Sequence, residues 1–355
     1  MTRAVKDVGR WGSREIGPGE RGRVRVVVSE TYAGADIGIP VYVWRGAAPG
    51  PTVFVTGAVH GDEINGTGII RSIIVDKPFE LERGALIMVP VINLQGFERH
   101  ERYLPDRRDL NRCFPGTARG SLAARMARAI YDEIVARSDY GIDLHTAAMR
   151  RTNFPNVRAD MDRPELADFA RAFGAELIVS GKGPAGSLRK AATDGGCPTI
   201  ILEAGEVWKV EPTVVEYGIR GVTNCLRHLG MIAGEPLAPP YRFETDATSW
   251  VRAAHGGFLR FHVTPGDIVS KGEALATNLS LVGRRLNVIK APRRGLVLGM
   301  TTLPAVAPGD PICHLAYARK GELSRIERAV ERLDEDALYE RMKDDLSRNV
   351  FAVKR

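Results

Sequence analysis

Short apolar runs alternate with helical patterns between about residues 50 and 230, and this alternation constrains the fold more than any other feature. The runs are short, almost unbroken and rich in branched side chains, as in strands covered on both faces: Thr52–Val55, Ala85–Val91, Gly141–Leu144, Leu177–Val179 and Thr199–Leu202. Between them, we predict that Ser121 caps one helix, Pro164 opens a second and Gly230 closes a third. The alternation predicts an α/β domain with a mostly parallel mixed sheet flanked by helices.

The pattern changes after about residue 235. A Pro-rich joint, GEPLAPP, precedes short strands broken by turns such as TPGD and APGD, which predicts an all-β region. The mixed-charge stretch 321–350 predicts one long amphipathic helix. We therefore expect four parts: an N-terminal β segment packed on the α/β domain (1–45), the α/β domain (46–235), a smaller β-sandwich (240–318) and a C-terminal helix (319–355).

Composition excludes several classes of protein. With 44% hydrophobic residues, the chain still lacks the run of about 18 apolar residues that a membrane span needs. The net charge of +7 is dispersed, so we expect no nucleic-acid partner but rather the handling of small anions. The first residues lack the apolar core of a secretion signal, which favours a cytoplasmic location. The four cysteines form no C-x-x-C pair, so their spacing suggests neither a disulfide framework nor a zinc site built from cysteines. The sequence leaves the oligomeric state open, and a homo-oligomer is one of the possibilities.

The segment TVFVTGAVHGDEINGTG contains the first candidate functional residues. A buried strand ends at Val55, and His60 and Glu63 follow in a Gly-containing turn before a helical pattern. Residues three apart in such a turn can face one centre, and an imidazole with a carboxylate suits Zn²⁺. By itself an H-x-x-E spacing is weak evidence for a metal site, because this spacing often arises by chance.

Two further segments support a site. His145, in GIDLHTA, and Glu203, in TIILEAGE, each follow an apolar run at the carboxyl end of a predicted strand. Open α/β sheets assemble their sites at these ends. Two histidines and one glutamate make a catalytic zinc set, and a further carboxylate can serve as general base. Glu206 is the rival for that role, but it lies beyond the end of the apolar run.

A fourth segment, RHERYLPDRRDLNRCFPG, concentrates arginines. A guanidinium binds a carboxylate through two hydrogen bonds, or stabilises an oxyanion, in a geometry that lysine cannot reproduce. We expect Arg107 and Arg108 to be solvent-exposed, which leaves Arg102 and Arg112 as candidates, with Asn111 adjoining the latter.

These motifs together resemble the succinylglutamate desuccinylase/aspartoacylase family, a branch of the zinc carboxypeptidase clan. They are G-A-V-H-G-D-E, R-D-L-N-R-x-F-P-G, D-L-H and E-A-G-E. The resemblance implies a zinc-carboxypeptidase-like fold with His60, Glu63 and His145 as ligands of one Zn²⁺ per chain. It implies Glu203 as the general base. It also implies that Asn111 and Arg112 grip the substrate carboxylate and that Arg102 stabilises the oxyanion.

The C-terminal β region is similar to biotinyl/lipoyl carrier domains, through GGFLRFHVTPGDIVSKGEALATNL, IKAPRRGLVLG and VAPGDPICHL. In those domains the modified lysine lies about seven residues before the Ala-Pro pair, which falls here on Arg284. An arginine cannot be acylated by lipoate or biotin. We therefore expect an unmodified region that shapes or covers the pocket, with His255, His262 and His314 as packing or surface residues.

The function expected from these observations is that of a zinc-dependent amidohydrolase, a deacylase acting on a small N-acyl amino acid of the N-acetyl or N-succinyl type. Two alternatives stay open. One is a metallocarboxypeptidase acting on a short peptide, with the same zinc, glutamate and arginine. The other is a non-catalytic metal-binding or carrier protein, which would not need Glu203.

Overall fold

A computed structural model describes residues 6–31, 33–318, 321–334 and 337–352. The α/β part contains strands β1 (Arg10–Trp11), β2 (Arg14–Glu15), β3 (Arg21–Glu30), β4 (Asp36–Arg45), β5 (Ala48–Gly57), β6 (Arg83–Val89), β7 (Tyr140–His145), β8 (Arg151–Ala159), β9 (Leu177–Ser180) and β10 (Thr199–Glu206). Its helices are α1 (Asn65–Asp76), α2 (Leu94–Arg99), α3 (Leu122–Ile130), α4 (Pro164–Ala172), α5 (Leu188–Asp194) and α6 (Pro212–His228). All five predicted strands are therefore confirmed.

The helix boundaries follow the predicted signals. Ser121 caps α3, because its side chain accepts a hydrogen bond from the backbone N–H of Ala124. Pro164 is the first residue of α4, where its missing N–H costs nothing. Gly230 follows α6 with a φ of 63°, a conformation that favours glycine.

The centre of the main sheet is parallel, in the order β6, β5, β7, β10. Antiparallel pairs extend it on both sides, to β4 and β3 at one edge and to β8 at the other. Side chains alternate between the two faces of β5, so Val53 and Val55 pack into one core and Phe54 into the other. Helices α1, α4 and α6 cover the first face, and α3 and α5 cover the second. The predicted mixed α/β fold is thus confirmed.

The C-terminal region is all-β, as predicted, but its strands also continue the main sheet. They are β11 (Phe243–Thr245), β12 (Thr248–Arg252), β13 (Gly257–Phe261), β14 (Ile268–Val269), β15 (Ala274–Leu279), β16 (Arg285–Lys290), β17 (Gly295–Thr301), β18 (Ala305–Val306) and β19 (Pro311–Ala316). Strand β17 pairs with β8, and β19 and β12 follow outward, while β16, β15, β13 and β18 form a separate sheet. The boundaries near residues 235 and 240 stay predictions.

The prediction of one continuous C-terminal helix over 319–355 is wrong, because the helix is broken. The structure has α7 (Glu322–Val330) and α8 (Leu338–Ser347), separated by turns at 331–334, while residues 319–320, 335–336 and 353–355 lie outside the described part. The break lets Ile326 of α7 and Met342 of α8 reach the same core cluster. The amphipathic pattern hid this turn, because no glycine or proline interrupts residues 331–337. Within the described residues, no helix is long and apolar enough to cross a membrane.

Intact mass spectrometry tests the prediction that the β region is unmodified. Arg284 lies exposed in the turn between β15 and β16, whereas Lys290 is the last residue of β16. Expressed in a host that lipoylates and biotinylates, the protein should have the mass of its unmodified chain. An added lipoyl or biotinyl mass would contradict this prediction.

Candidate active site

Three buried side chains converge where β5 and β7 end. His60 and Glu63 lie on the turn between β5 and α1, and His145 is the last residue of β7. One ligand atom from each lies within 4.8 Å of the others. Glu63 spans the two rings, with Oε1 2.6 Å from His60 Nδ1 and Oε2 2.9 Å from His145 Nδ1. The turn packs closely on α2, since a Cβ on Gly61 would lie 2.1 Å from a backbone carbon of Gly96.

The far nitrogen of each imidazole faces another carboxylate. His145 Nε2 lies 2.8 Å from Asp143 Oδ2, and His60 Nε2 lies 3.2 Å from Asp109 Oδ1. Such outer carboxylates orient metal-binding histidines and raise their basicity. Both Nδ1 atoms are therefore held toward Glu63. Asp109 and Asp143 were missed by the sequence analysis.

The charges of the cluster are strongly coupled. Burial raises the pKa of the Glu63 carboxyl, but His60 and His145 outweigh it and hold that pKa well below its usual value. Burial lowers the pKa of His145, but Asp143 and Glu63 outweigh it and raise that pKa well above its usual value. A cation and a proton compete for the same imidazole nitrogens. The donor set, two histidines and one carboxylate backed by outer carboxylates, fits a catalytic Zn²⁺ site.

Glu203 lies beside this cluster because of strand register. In the parallel pairing of β7 and β10, Glu203 is directly opposite His145. Asn153 Nδ2 donates to Glu203 Oε2 at 3.1 Å, and Arg158 Nε lies 3.8 Å from Oε1. The rival, Glu206, accepts hydrogen bonds from Thr302 and Lys209 and is not among the described residues that line the cavity.

The arginine segment brings its predicted residues to the same cavity. Arg102 donates from Nη1 to Glu63 Oε1 and from Nη2 to Asp109 Oδ2, each at 3.1 Å. Arg112 Nη1 donates to the backbone carbonyl of Asn111 at 2.7 Å, and the Asn111 side-chain oxygen accepts from the N–H of Leu188. Arg107 and Arg108 are exposed, as expected.

All seven predicted residues line one cavity of about 280 Å³. Further lining residues were not predicted: Arg151, Arg158, Arg189, Trp250 and His314. The last two come from β12 and β19 and stack with ring centroids 4.7 Å apart. His314 therefore lines the cavity, whereas the sequence analysis predicted that it is a packing or surface residue. Burial, then Arg158 and Arg151, lower the pKa of His314 to about 4, so its ring is neutral near pH 7.

The strand ends of a mixed α/β sheet thus bring two buried histidines and a buried glutamate together with Glu203, beside a segment that carries arginines. This arrangement suits a hydrolase with a candidate metal centre. Residues 49–229 match the family model described as the succinylglutamate desuccinylase/aspartoacylase catalytic domain. The chain belongs to this family and is an enzyme, an amide hydrolase.

Relatives extend the similarity beyond the family region. The N-alpha-acetyl-L-2,4-diaminobutyric acid deacetylase of Halomonas elongata is 28% identical over 304 residues, which cover 82% of this chain and 89% of that protein. The crystal structure of a succinylglutamate desuccinylase/aspartoacylase from Rhodobacter sphaeroides has a TM-score of 0.73 at 27% identity, over 84% of this chain and 96% of that one. The product-bound ectoine utilization protein EutE of Ruegeria pomeroyi shares the fold, with a TM-score of 0.73 at 23% identity, over 84% and 95% of the two chains.

Proposed function

We propose that this enzyme is a zinc-dependent deacylase that hydrolyses the amide bond of a small N-acyl amino acid. The observation that carries the proposal is the convergence of the His60–Glu63–His145 cluster, Glu203 and the Asn111–Arg112 pair on one cavity of about 280 Å³. The acyl-amino-acid chemistry in the names of the family and of the Halomonas relative supports it. A cytoplasmic location stays a prediction.

His60, Glu63 and His145 would hold the metal, through both Nδ1 atoms and the carboxylate. Bound there, Zn²⁺ supplies positive charge that makes water more acidic and polarises the acyl carbonyl. Glu203 accepts the proton of the attacking water and delivers it to the departing amine. Asn153 and Arg158 hold the Glu203 carboxylate toward the cavity while it does so.

Arginines position and stabilise the substrate in this proposal. Arg102 lies against Glu63, where it stabilises the oxyanion that develops on the acyl carbonyl. One well-placed donor of this kind contributes about 3–4 kcal/mol to transition-state stabilisation. Asn111 and Arg112 bind the α-carboxylate, with Asn111 fixed by its bond to the start of α5.

A substrate screen tests the function. Protein with one zinc per chain should hydrolyse N-acetyl or N-succinyl amino acids and leave dipeptides nearly untouched, because a dipeptide would place its ammonium group in a cavity that Arg151, Arg158 and Arg189 also line. The screen includes N-acetyl-2,4-diaminobutyrate, the compound class named for the Halomonas relative. Faster hydrolysis of dipeptides would instead indicate a metallocarboxypeptidase.

Arg112→Lys is expected chiefly to raise KM, because the ammonium keeps the charge but loses the planar fork that matches a carboxylate. Steady-state kinetics measure this against the substrate found in the screen. An α-carboxamide analogue should be a poor substrate for the wild type and should lose little more in the variant. Additive losses from the two changes would mean that Arg112 does not contact the α-carboxylate.

A further inference from the structure

Glu211 is a buried carboxylate that the mechanism above does not use. It is 8% exposed and directly precedes α6, but its side chain does not cap that helix. Instead it accepts hydrogen bonds from Asn65 Nδ2 at 2.8 Å, the backbone N–H of Glu206 at 3.0 Å and Asn349 Nδ2 at 2.6 Å. All three donors are uncharged. A carboxylate can only accept hydrogen bonds, so it suits three converging donors, whereas an amide would turn its own NH₂ group toward one of them.

Asn65 joins Glu211 to the turn that carries the metal cluster. It is 1% exposed and is the first residue of α1, two residues after Glu63. Its side-chain oxygen accepts from the backbone N–H of Glu211 at 2.8 Å, while its Nδ2 atom donates to the Glu211 carboxylate. This pair of bonds fixes the start of α1, and with it Glu63, relative to Glu211.

The same pair holds the chain directly after Glu203. The parallel pairing of β10 with β7 ends at Glu203, and the register with β8 shifts between Glu203 and Gly205. Such a shift disrupts the ladder of backbone hydrogen bonds. Side chains take over here, because Asn65 Nδ2 donates to the Ala204 carbonyl at 3.3 Å and Glu211 accepts the N–H that follows Gly205. The fit is close, since a Cβ on Gly205 would overlap the Glu211 carboxylate.

Asn349 connects this arrangement to the C-terminal part of the described chain. It follows α8, and its Oδ1 atom accepts from Lys209 Nζ at 2.8 Å while its Nδ2 atom donates to Glu211. The next residues anchor it on the β region. Val350 is buried in the core there, and the carbonyl of residue 351 accepts from the N–H of Phe261 at 3.1 Å.

We infer that Glu211 is a positioning residue that holds Glu203 in place relative to Glu63, and that Asn349 in turn holds Glu211. The inference rests on the proposed function, in which Glu203 is the general base and Glu63 is a metal ligand. A general base must lie within hydrogen-bond distance of the water that it deprotonates, and a misplacement of about 1 Å can cost about 100-fold in rate. A segment outside the matched family region, 49–229, thus helps to order the base.

Glu211→Ala should lower kcat by about 10- to 100-fold and change KM little, because it displaces the base and not the Asn111–Arg112 pair. Asn65→Ala should have a similar effect. The double variant should lose little more than the worse single variant, since the losses of partners in one hydrogen-bond network are not additive. Steady-state kinetics of zinc-loaded protein measure these losses.

Two milder variants test the contribution of the C-terminal segment. Asn349→Ala removes one of the three donors and should give a smaller loss of kcat than Glu211→Ala. Glu211→Gln should match it, because the amide oxygen can still accept from Asn65 while the NH₂ group faces Asn349. These variants also carry the test if Glu211→Ala does not fold.

Glu176→Ala is the matched control for loss of stability. Glu176 is likewise a buried carboxylate bound to α6, where it accepts from Tyr217 and Arg220, but it is not among the described residues that line the cavity. Glu176→Ala and Glu211→Ala should both lower the melting temperature, but only Glu211→Ala should lower kcat. In an active enzyme, wild-type kcat in the folded Glu211 variants would overturn the inference.

Hydrogen–deuterium exchange of the metal-free protein tests the inference without substrate or metal. In Asn349→Ala and Glu211→Gln, peptides covering residues 60–68 and 203–211 should exchange about tenfold faster than in the wild type, because local opening there becomes easier. Peptides covering residues 171–180, around Glu176, should keep the wild-type rate. Faster exchange in the two segments supports the positioning role even if no N-acyl amino acid is hydrolysed. Unchanged exchange in both segments would overturn that role, whatever the substrate screen shows.

Discussion

His60→Ala and His145→Ala should each lose the zinc that the purified wild-type chain is expected to carry at about one ion per chain. Each substitution leaves two protein ligands of the three that converge at this point, and two ligands do not make a catalytic zinc site. The loss of affinity should be large enough to empty the site at micromolar protein. Elemental analysis after dialysis against buffer without metal measures the bound zinc.

His255→Ala is the matched control for these variants, because His255 is exposed and lies outside the cavity. It should keep the wild-type zinc content. Removing either ligand histidine leaves Glu63 beside the other ring, so the variants should still fold and show a cooperative thermal transition. Full zinc occupancy in both ligand variants would rule out the proposed ligand set.

The location of the site was predictable because parallel strands bring distant residues to one edge. His60, His145 and Glu203 all follow buried apolar runs. Once β5, β7 and β10 are neighbours, their carboxyl ends must meet. The sequence also contained an unused signal for Asp143. Residues two apart on a strand point to the same face, so Asp143 must lie on the face of β7 that carries His145.

Other parts of the site could not be read from the chain. Asp109 reaches His60 only through the fold of the arginine segment, and Arg189 lies on a helix without any local motif. Trp250 and His314 line the cavity because β17 pairs with β8 and β19 and β12 follow it. That pairing joins Gly299 to Asn153, residues far apart in the chain, and nothing in the alternation of either strand specifies its partner.

Glu203→Gln should keep the metal and the fold but lose about 10²–10⁴-fold in kcat, because general-base catalysis typically contributes that much. The amide is nearly isosteric with the carboxylate. Its oxygen can still accept the hydrogen bond from Asn153 Nδ2, so the local geometry should survive. It cannot accept the proton of the attacking water near neutral pH. Zinc content, the melting temperature and steady-state kcat together separate a chemical loss from a structural one.

Glu206→Gln provides the matched control on the same strand. Its two oxygens bind Thr302 and Lys209 outside the cavity, so this substitution should leave kcat close to the wild-type value. The contrast between the two variants depends on register, because the pairing of β10 with β7 sets Glu203 opposite His145. A nearly normal kcat in Glu203→Gln with an inactive Glu206→Gln would mean that the base is Glu206. Such a result would require β10 to pair with β7 in a different register from the one described, with Glu206 and not Glu203 beside His145.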